Sequence, residues 1–201
     1  PFSNLRRRPL RSTLTVAGIS TAIALFVILV GMSRGVESAY VNVLRERDTH
    51  VVAVRKGVID ILSGSIDQIR EGDLRHTPHV REVSPELIDW VKLDSGHSVV
   101  IVGWPPESFL WESLVLESGT PPGTGGPPGV VVGQTIAEAT GLRIGDSLPL
   151  YGTRCLVTGI ARTGGAIKSS ALAMPLEQLQ GMTDRRGKIT VFNLRLDAPH
   201  D

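Results

Sequence analysis

Hydrophobic and polar positions follow three rhythms in turn along this chain. The first is an uninterrupted apolar run, Thr13 to Met32, TLTVAGISTAIALFVILVGM, which holds twenty residues without one charge. A helix rises about 1.5 Å per residue, so such a run reaches about 30 Å, the thickness of the hydrocarbon core of a bilayer. In lipid a lone apolar segment satisfies its own backbone hydrogen bonds only as a helix. Buried helices of soluble proteins rarely run this long without a charge. Residues 13–32 are therefore predicted to form a transmembrane helix.

The second rhythm has steps of three and four residues. Over 33–47, Val36, Tyr40, Val43 and Leu44 recur at helical spacing, with Glu37, Arg45, Glu46 and Arg47 opposite them or at the end. The membrane helix is expected to project onward as a stalk. The third rhythm is that of strands. His50–Val54 is a short β-branched run and predicts a buried strand that Gly57 ends. Residues 58–72 are ambiguous, with Ile59, Ile61, Leu62, Ile66 and Ile69 spaced loosely as a helix. Val80–Val91 and Val99–Gly103 read as strands joined through the turn Asp94-Ser95-Gly96-His97, and Trp104-Pro105-Pro106 stops the second. Residues 119–129, GTPPGTGGPPG, form a surface loop by composition.

The last third is the most legible. Val130–Val132 is a strand, and Gln134–Thr140 a short helix closed by Gly141. Leu142, Ile144, Leu148 and Leu150 alternate around a turn at Gly145-Asp146. Tyr151–Thr153 turns the chain into a strand over Arg154–Ile160, and Ala171–Met174 is another. Pro175 opens a helix over Leu176–Gln180, and Ile189–Leu196 is a final strand with Phe192, Leu194 and Leu196 on one face. The expected fold is membrane-anchored α+β: one N-terminal transmembrane helix, then a mixed domain of short strands and helices over 48–201.

Charge sets the orientation. Arg6, Arg7, Arg8 and Arg11 crowd residues 1–12, while Arg34 stands alone past the other end. Positive flanks stay cytoplasmic, so residues 1–12 are a cytoplasmic lead and the domain lies outside. The same arginines attract anionic lipid headgroups. A signal peptide has an apolar core of only about 7–15 residues and a small-residue cleavage site, which Glu37-Ser38-Ala39 imitates poorly. Pro9-Leu10 is weak support for twin-arginine export. Within the helix, Gly18 with Ala22 and Gly31 with Gly35 are small pairs four apart. They either admit a second helix closely or simply face lipid.

Composition changes the picture little. The net charge of +1 indicates no general attraction to nucleic acid, and the aromatics are too few for a base-stacking platform. A mean hydropathy of +0.10 averages the apolar run with an ordinary polar remainder. Cys155, the one cysteine, has no internal disulfide partner and sits in the apolar Cys155-Leu156-Val157 as a small hydrophobe.

Candidate chemistry is sparse. His76 and His79 flank Pro78 in a loop, without a cysteine or carboxylate pattern to complete a zinc set. Gly159 and Gly164 have phosphate-loop spacing, but Gly165-Ala166 follow where Lys and Ser/Thr are needed, and Lys168-Ser169 come too late. No Gly-x-Ser-x-Gly elbow occurs, and Asp146 belongs to its turn. Trp90, Trp104 and Trp111 are either half-buried core or the lining of an apolar groove. No catalytic residue, metal or cofactor is expected.

The order of these pieces resembles a known family. The opening NLRRRPLRSTLTVAGISTAIAL resembles the first helix of MacB/FtsX-like ABC-transporter permeases, which place an extracytoplasmic domain directly after it. From Val130, VVVGQTIAEATGLRIGDSLPLYGTRCLVTGIA is similar to the closing part of that family's periplasmic core domain. Gly141, Leu142, Gly145, Asp146, Val157, Gly159 and Ile160 match its G-L-x-x-G-D turn and x-V-x-G-I strand. The resemblance implies a non-catalytic permease subunit that pairs with a second copy and with a separate cytoplasmic ABC ATPase, whose hydrolysis moves the outside domain. Drug or peptide efflux, lipoprotein release and cell-wall hydrolase control are the family's tasks, some with a partner protein outside. The family also carries three further membrane helices and the cytoplasmic loop that meets the ATPase. None lies in these 201 residues, so the chain is expected to be a piece of a longer permease. The rival expectation is a stand-alone anchored binding or assembly protein without an ATPase.

Overall fold

The computed structural model of the protein describes residues 9–46, 49–57, 64–123, 125–162 and 170–197. The chain divides into two compact units, Pro1–Val43 and Leu44–Asp201. The first is dominated by one helix, α1 (Pro9–Glu46), 38 residues long. Its stretch Thr13–Gly35 is long and apolar enough to cross a membrane. Leu14, Ile19, Ile23, Phe26 and Leu29 are all more than half exposed. A helix apolar on every face requires burial in protein or in lipid. The expected span and stalk are one continuous element: Arg34 falls inside α1, and the helix runs on to Glu46.

The second unit is built on a nine-stranded mixed sheet. In chain order its elements are β1 (Val51–Ala53), β2 (Ile66–Asp67), α2 (Glu71–Arg75), β3 (Val80–Lys92), β4 (Ser98–Trp104), β5 (Leu116–Gly119) and β6 (Gly129–Gly133). There follow α3 (Gln134–Thr140), β7 (Ser147–Leu150), β8 (Thr153–Ala161), β9 (Ala171–Pro175), α4 (Leu176–Met182), β10 (Lys188–Ile189) and β11 (Val191–Leu196). Short 3-10 turns precede α2 (Gln68–Arg70) and β5 (Phe109–Trp111). The strands lie in the order β1-β11-β3-β4-β9-β6-β8-β5, with β7 paired to β8; β2 and β10 form a separate ribbon. The β4–β9 and β6–β8 pairs are parallel, and the remaining pairs antiparallel.

The central strands read as continuous apolar runs because both of their faces are buried. Ile101, Leu172, Val130 and Val132 enter one core, packed beneath Leu176 and Leu179 of α4 and Ile136 of α3. Their neighbours Val102, Ala173 and Val131 enter a second core with Trp104, Phe109 and Leu110. Successive residues of a strand point to opposite faces, so one β-branched run supplies both layers. Gly103 lets α4 lie flat on β4: a Cβ there would stand 3.2 Å from the Leu176 Cα.

Three sequence expectations need correction. The His50–Val54 strand is an edge, not a buried strand: β1 pairs with β11, and Val51 and Val54 are exposed. The final strand is broken at Thr190, so β10 pairs with β2 while β11 pairs with β1 and β3. The Thr190 hydroxyl oxygen accepts from the Ile88 N–H at 3.0 Å, taking the place of a ladder bond at the crossing. Gly119, read as the start of the 119–129 loop, is the last residue of the edge strand β5. As expected, Pro175 precedes α4, which starts at Leu176 and runs on to Met182.

Candidate functional site

The order of strands brings the first strand after α1 beside the last strand of the domain. Val51, Val52 and Ala53 face Leu194, Asn193 and Phe192 across the β1–β11 ladder. The ladder is extended by a side-chain latch. His50 donates its N–H to the Leu194 carbonyl at 3.0 Å, and its ring Nδ1 accepts the Leu196 N–H at 2.9 Å. Beyond it, the Asp197 N–H donates to the His79 carbonyl at 3.0 Å. The two ends of the domain are thus zipped side by side, and β11 carries the seam directly into β3.

A polar spine lies under that seam. Glu86 of β3 has no exposed surface, yet its two carboxyl oxygens accept from Trp104 Nε1 at 2.9 Å and Asn193 Nδ2 at 2.8 Å. It ties β3 to β4 on one side and to β11 on the other. Further along, the hydroxyls of Ser84 and Ser108 meet at 2.5 Å. Arg195, with 13% of its side chain exposed, reaches both oxygens of Glu82 at 3.2 and 3.3 Å and lies 4.3 Å over the Phe109 ring. Through Nη1, shared between both carboxylate oxygens, and the ring beneath its guanidinium, the largely buried Arg195 ties β11 to β3 and to Phe109. None of Glu86, Asn193 or Arg195 stood out in the sequence.

The sequence-derived positions fall into separate places. Arg6, Arg7 and Arg8 lie outside the described residues, and Arg11 lies in the first turns of α1. Gly18, Ala22, Gly31 and Gly35 are exposed on α1, and a Cβ at any of the three glycines meets no atom within 4 Å. The motif residues gather around one turn. Gly141 closes α3 in the left-handed region at φ 72°, and Gly145 turns at φ 90°. An oxygen of the Asp146 carboxylate accepts the Arg143 N–H at 2.8 Å, while the Asp146 carbonyl accepts the Val157 N–H at 2.9 Å. Leu142 is half-buried against the core. Gly159 lies under the chain at Ser118 and Thr120, whose carbonyls would stand 3.2 Å from an added Cβ. These residues build a turn and an edge, and among the described residues no reactive group converges with them.

The remaining candidates resolve as structure. Among the described residues no group of three or more His, Cys, Asp or Glu could hold a metal ion. His76 is exposed, with its Nδ1 2.6 Å from the Gly72 carbonyl oxygen. The three tryptophans do not line one groove. Trp104 is buried and meets Trp111 edge to face at 5.0 Å, whereas Trp90 is exposed elsewhere, its carbonyl accepting from the Tyr151 hydroxyl at 3.4 Å. Cys155 is buried, and desolvation pushes its thiol up to about 11.

One apolar helix continuous past a stretch long enough to cross a membrane is followed by an α+β domain whose two ends are zipped together. The sequence model of the MacB-like periplasmic core domain matches residues 12–200. The chain belongs to that family, the extracytoplasmic domain of MacB/FtsX-like ABC transporter permeases. Two solved structures share its fold. The extracellular domain of the noncanonic ABC-type transporter YknZ from Gram-positive bacteria is 11% identical at a TM-score of 0.57, over 73% of this chain and 82% of that one. The periplasmic region of MacB from Actinobacillus actinomycetemcomitans is 15% identical at 0.57, over 79% of each. No curated protein matches the chain.

Proposed function

We propose that the chain is part of the permease subunit of a MacB/FtsX-like ABC transporter, with residues 1–12 cytoplasmic and the domain outside. It acts as a non-catalytic transmitter: a separate cytoplasmic ATPase hydrolyses ATP, and the resulting helix motion reaches the extracytoplasmic domain for export or substrate extraction. The observation that carries the reading is the continuity of α1, which passes from the apolar stretch Thr13–Gly35 to Glu46 without interruption. An unbroken helix transmits displacement where a flexible linker would absorb it. Arg6, Arg7, Arg8 and Arg11 support the cytoplasmic N-terminus, and Gly18 with Ala22 supplies a face for a second copy.

The test is co-purification of the full-length gene product, tagged at its C-terminus, from solubilised membranes. A stoichiometric ATPase subunit with hydrolytic activity in the eluate is the expected result. A lone protein without ATPase would overturn the reading in favour of a stand-alone anchored binding or assembly protein.

A further inference from the structure

A cleft of about 640 Å³ opens in the extracytoplasmic unit between the end of β1 and the β2–α2 segment. Its lining mixes apolar and charged side chains. Ile66 and Leu74 are half-buried there against the main core, Val54 is exposed beside them, and Phe192 is buried beneath. Around the rim stand Arg55, Lys56, Arg70 and Lys188, with Asp67 and Asp73 the acidic members. The rim therefore holds two positive charges in excess. Lys188 is spent on Asp67, its partner across the β2–β10 ribbon. The Lys188 hydrogen bond and charge hold the Asp67 carboxyl below its usual range, and the positive charges of Arg70 and then Arg55 add to the effect. Arg55, Lys56 and Arg70 are themselves exposed. Neither the Gly141–Asp146 turn nor the Glu86 spine accounts for this arrangement.

We propose that this cleft binds an anionic amphiphile, its phosphate or carboxylate head held by Arg55, Lys56 and Arg70 and its hydrocarbon chain laid on Val54, Ile66 and Leu74. Guanidinium groups present planar forks of donors that match phosphate and carboxylate oxygens. The apolar side chains beside the arginines have no use for a free inorganic ion, which gains nothing from them. A protein carrying a membrane helix meets such amphiphiles at high local concentration, as lipid headgroups or as molecules leaving the bilayer. The inference concerns a ligand site on the chain alone and does not depend on an ATPase partner.

The test uses the full chain in phosphatidylcholine nanodiscs and equilibrium dialysis of octyl phosphate, corrected for empty discs. Octyl phosphate is expected to bind at least ten-fold more tightly than octyl glucoside, which lacks the charge, or inorganic phosphate, which lacks the chain. R55Q/R70Q should weaken it at least ten-fold, R55K/R70K should retain binding within about three-fold, and high salt should weaken it through screening. Neutralising Arg6, Arg7, Arg8 and Arg11 should change nothing. Equal binding of octyl glucoside, equal binding of inorganic phosphate, or an unaffected R55Q/R70Q variant would each overturn the proposal. Displacement by phosphatidic acid placed in the disc assigns the ligand to the bilayer; displacement only by phosphatidic acid added from solution assigns it to a released amphiphile. Displacement by neither overturns the site.

Discussion

The indole N–H of Trp104 donates to Glu86 at 2.9 Å in a part of the core where Glu86 has no exposed surface and Trp104 is buried. A polar side chain so placed is stable only while its partners stay matched, because an orphaned buried donor loses its water without replacement. Glu86→Leu strands the donors of both Trp104 and Asn193. We expect it to lower stability by about 2–4 kcal/mol, since each unsatisfied group costs about 1–3 kcal/mol. Glu86→Gln, which keeps the shape and one acceptor, should fall between Leu and the native residue. Urea unfolding of the unit Leu44–Asp201 measures both; an unchanged midpoint for Glu86→Leu would show that the spine is not structural.

The seam between the ends of the domain makes a local prediction. Leu196 donates its N–H to the ring of His50, and only an acceptor at that position preserves the bond. His50→Ala should destabilise the unit by about 1 kcal/mol, the usual net value of a hydrogen bond. Amide exchange at Leu196 should accelerate while that at Ile101, deep in the sheet, stays slow. Exchange at Leu196 unchanged from the native protein would mean that the ladder alone holds the seam.

Gly119 is the position where backbone geometry forbids a side chain. It sits at φ 84°, and a Cβ there would stand 2.2 Å from the Thr158 carbonyl oxygen and 2.7 Å from the Gly159 Cα. Both obstacles are backbone, so neither can swing aside. Gly119→Ala should lower stability by about 2–4 kcal/mol, combining overpacking with the left-handed conformation. Gly141→Ala offers the control: its φ is 72°, but nothing lies within 4 Å, so only the conformational part of about 1–2 kcal/mol applies. Equal melting temperatures for the two variants would contradict the steric argument.

These same residues show what was legible beforehand. Gly141 was readable because a glycine ending a short apolar helix has one common geometry, and β4, β6 and β9 were readable because burial on both faces left unbroken apolar runs. β5 was not, because Leu-Glu-Ser-Gly is an exposed edge whose pairing is decided by the close Gly119–Gly159 contact across from it. The break at Thr190 was hidden because a β-branched residue looks like more strand; only its hydroxyl's bonds with Ile88 reveal the crossing. Glu86 was hidden most completely. On a strand whose neighbours Val83 and Leu87 are buried, an intervening carboxyl group reads as a solvent position, and the matching donors lie 18 and 107 residues away. The cleft at Arg55 and Arg70 depended in the same way on β2 meeting β10 across the chain.

Cys155 supplies a prediction in pH. Its thiol is pushed up to about 11 by burial, whereas an unfolded cysteine titrates near 8.5. The folded state therefore favours the protonated thiol. That contribution to stability is fully present below about pH 8.5 and is lost as pH rises toward 11, where the folded thiol also ionises. At pH 8 the folded protein should react with a thiol reagent at least a hundred-fold more slowly than the urea-unfolded chain, because the thiolate is the nucleophile. Cys155→Ser, which does not titrate in this range, should remove the part of the stability decline between pH 9 and 11 that belongs to this group. A native protein that reacts at the unfolded rate would place the thiol at the surface instead.

The last prediction concerns α1. Gly18 and Ala22 lie one turn apart on the helix, both exposed, and a Cβ added at Gly18 meets no atom within 4 Å. Enlarging these residues therefore leaves the helix itself unstrained, and any effect must come from a partner that approaches them. In lipid, small residues four apart promote association by letting two backbones pack closely, and bulk at one of them separates the pair. Gly18→Leu should reduce disulfide crosslinking between copies carrying a cysteine at Ile19 at least several-fold in native membranes, with expression unchanged. The same substitution at Ile23, already a large exposed residue, should have little effect. Crosslinking that is equal in all three chains would mean that this face of α1 meets lipid, and that association of two copies uses other surfaces.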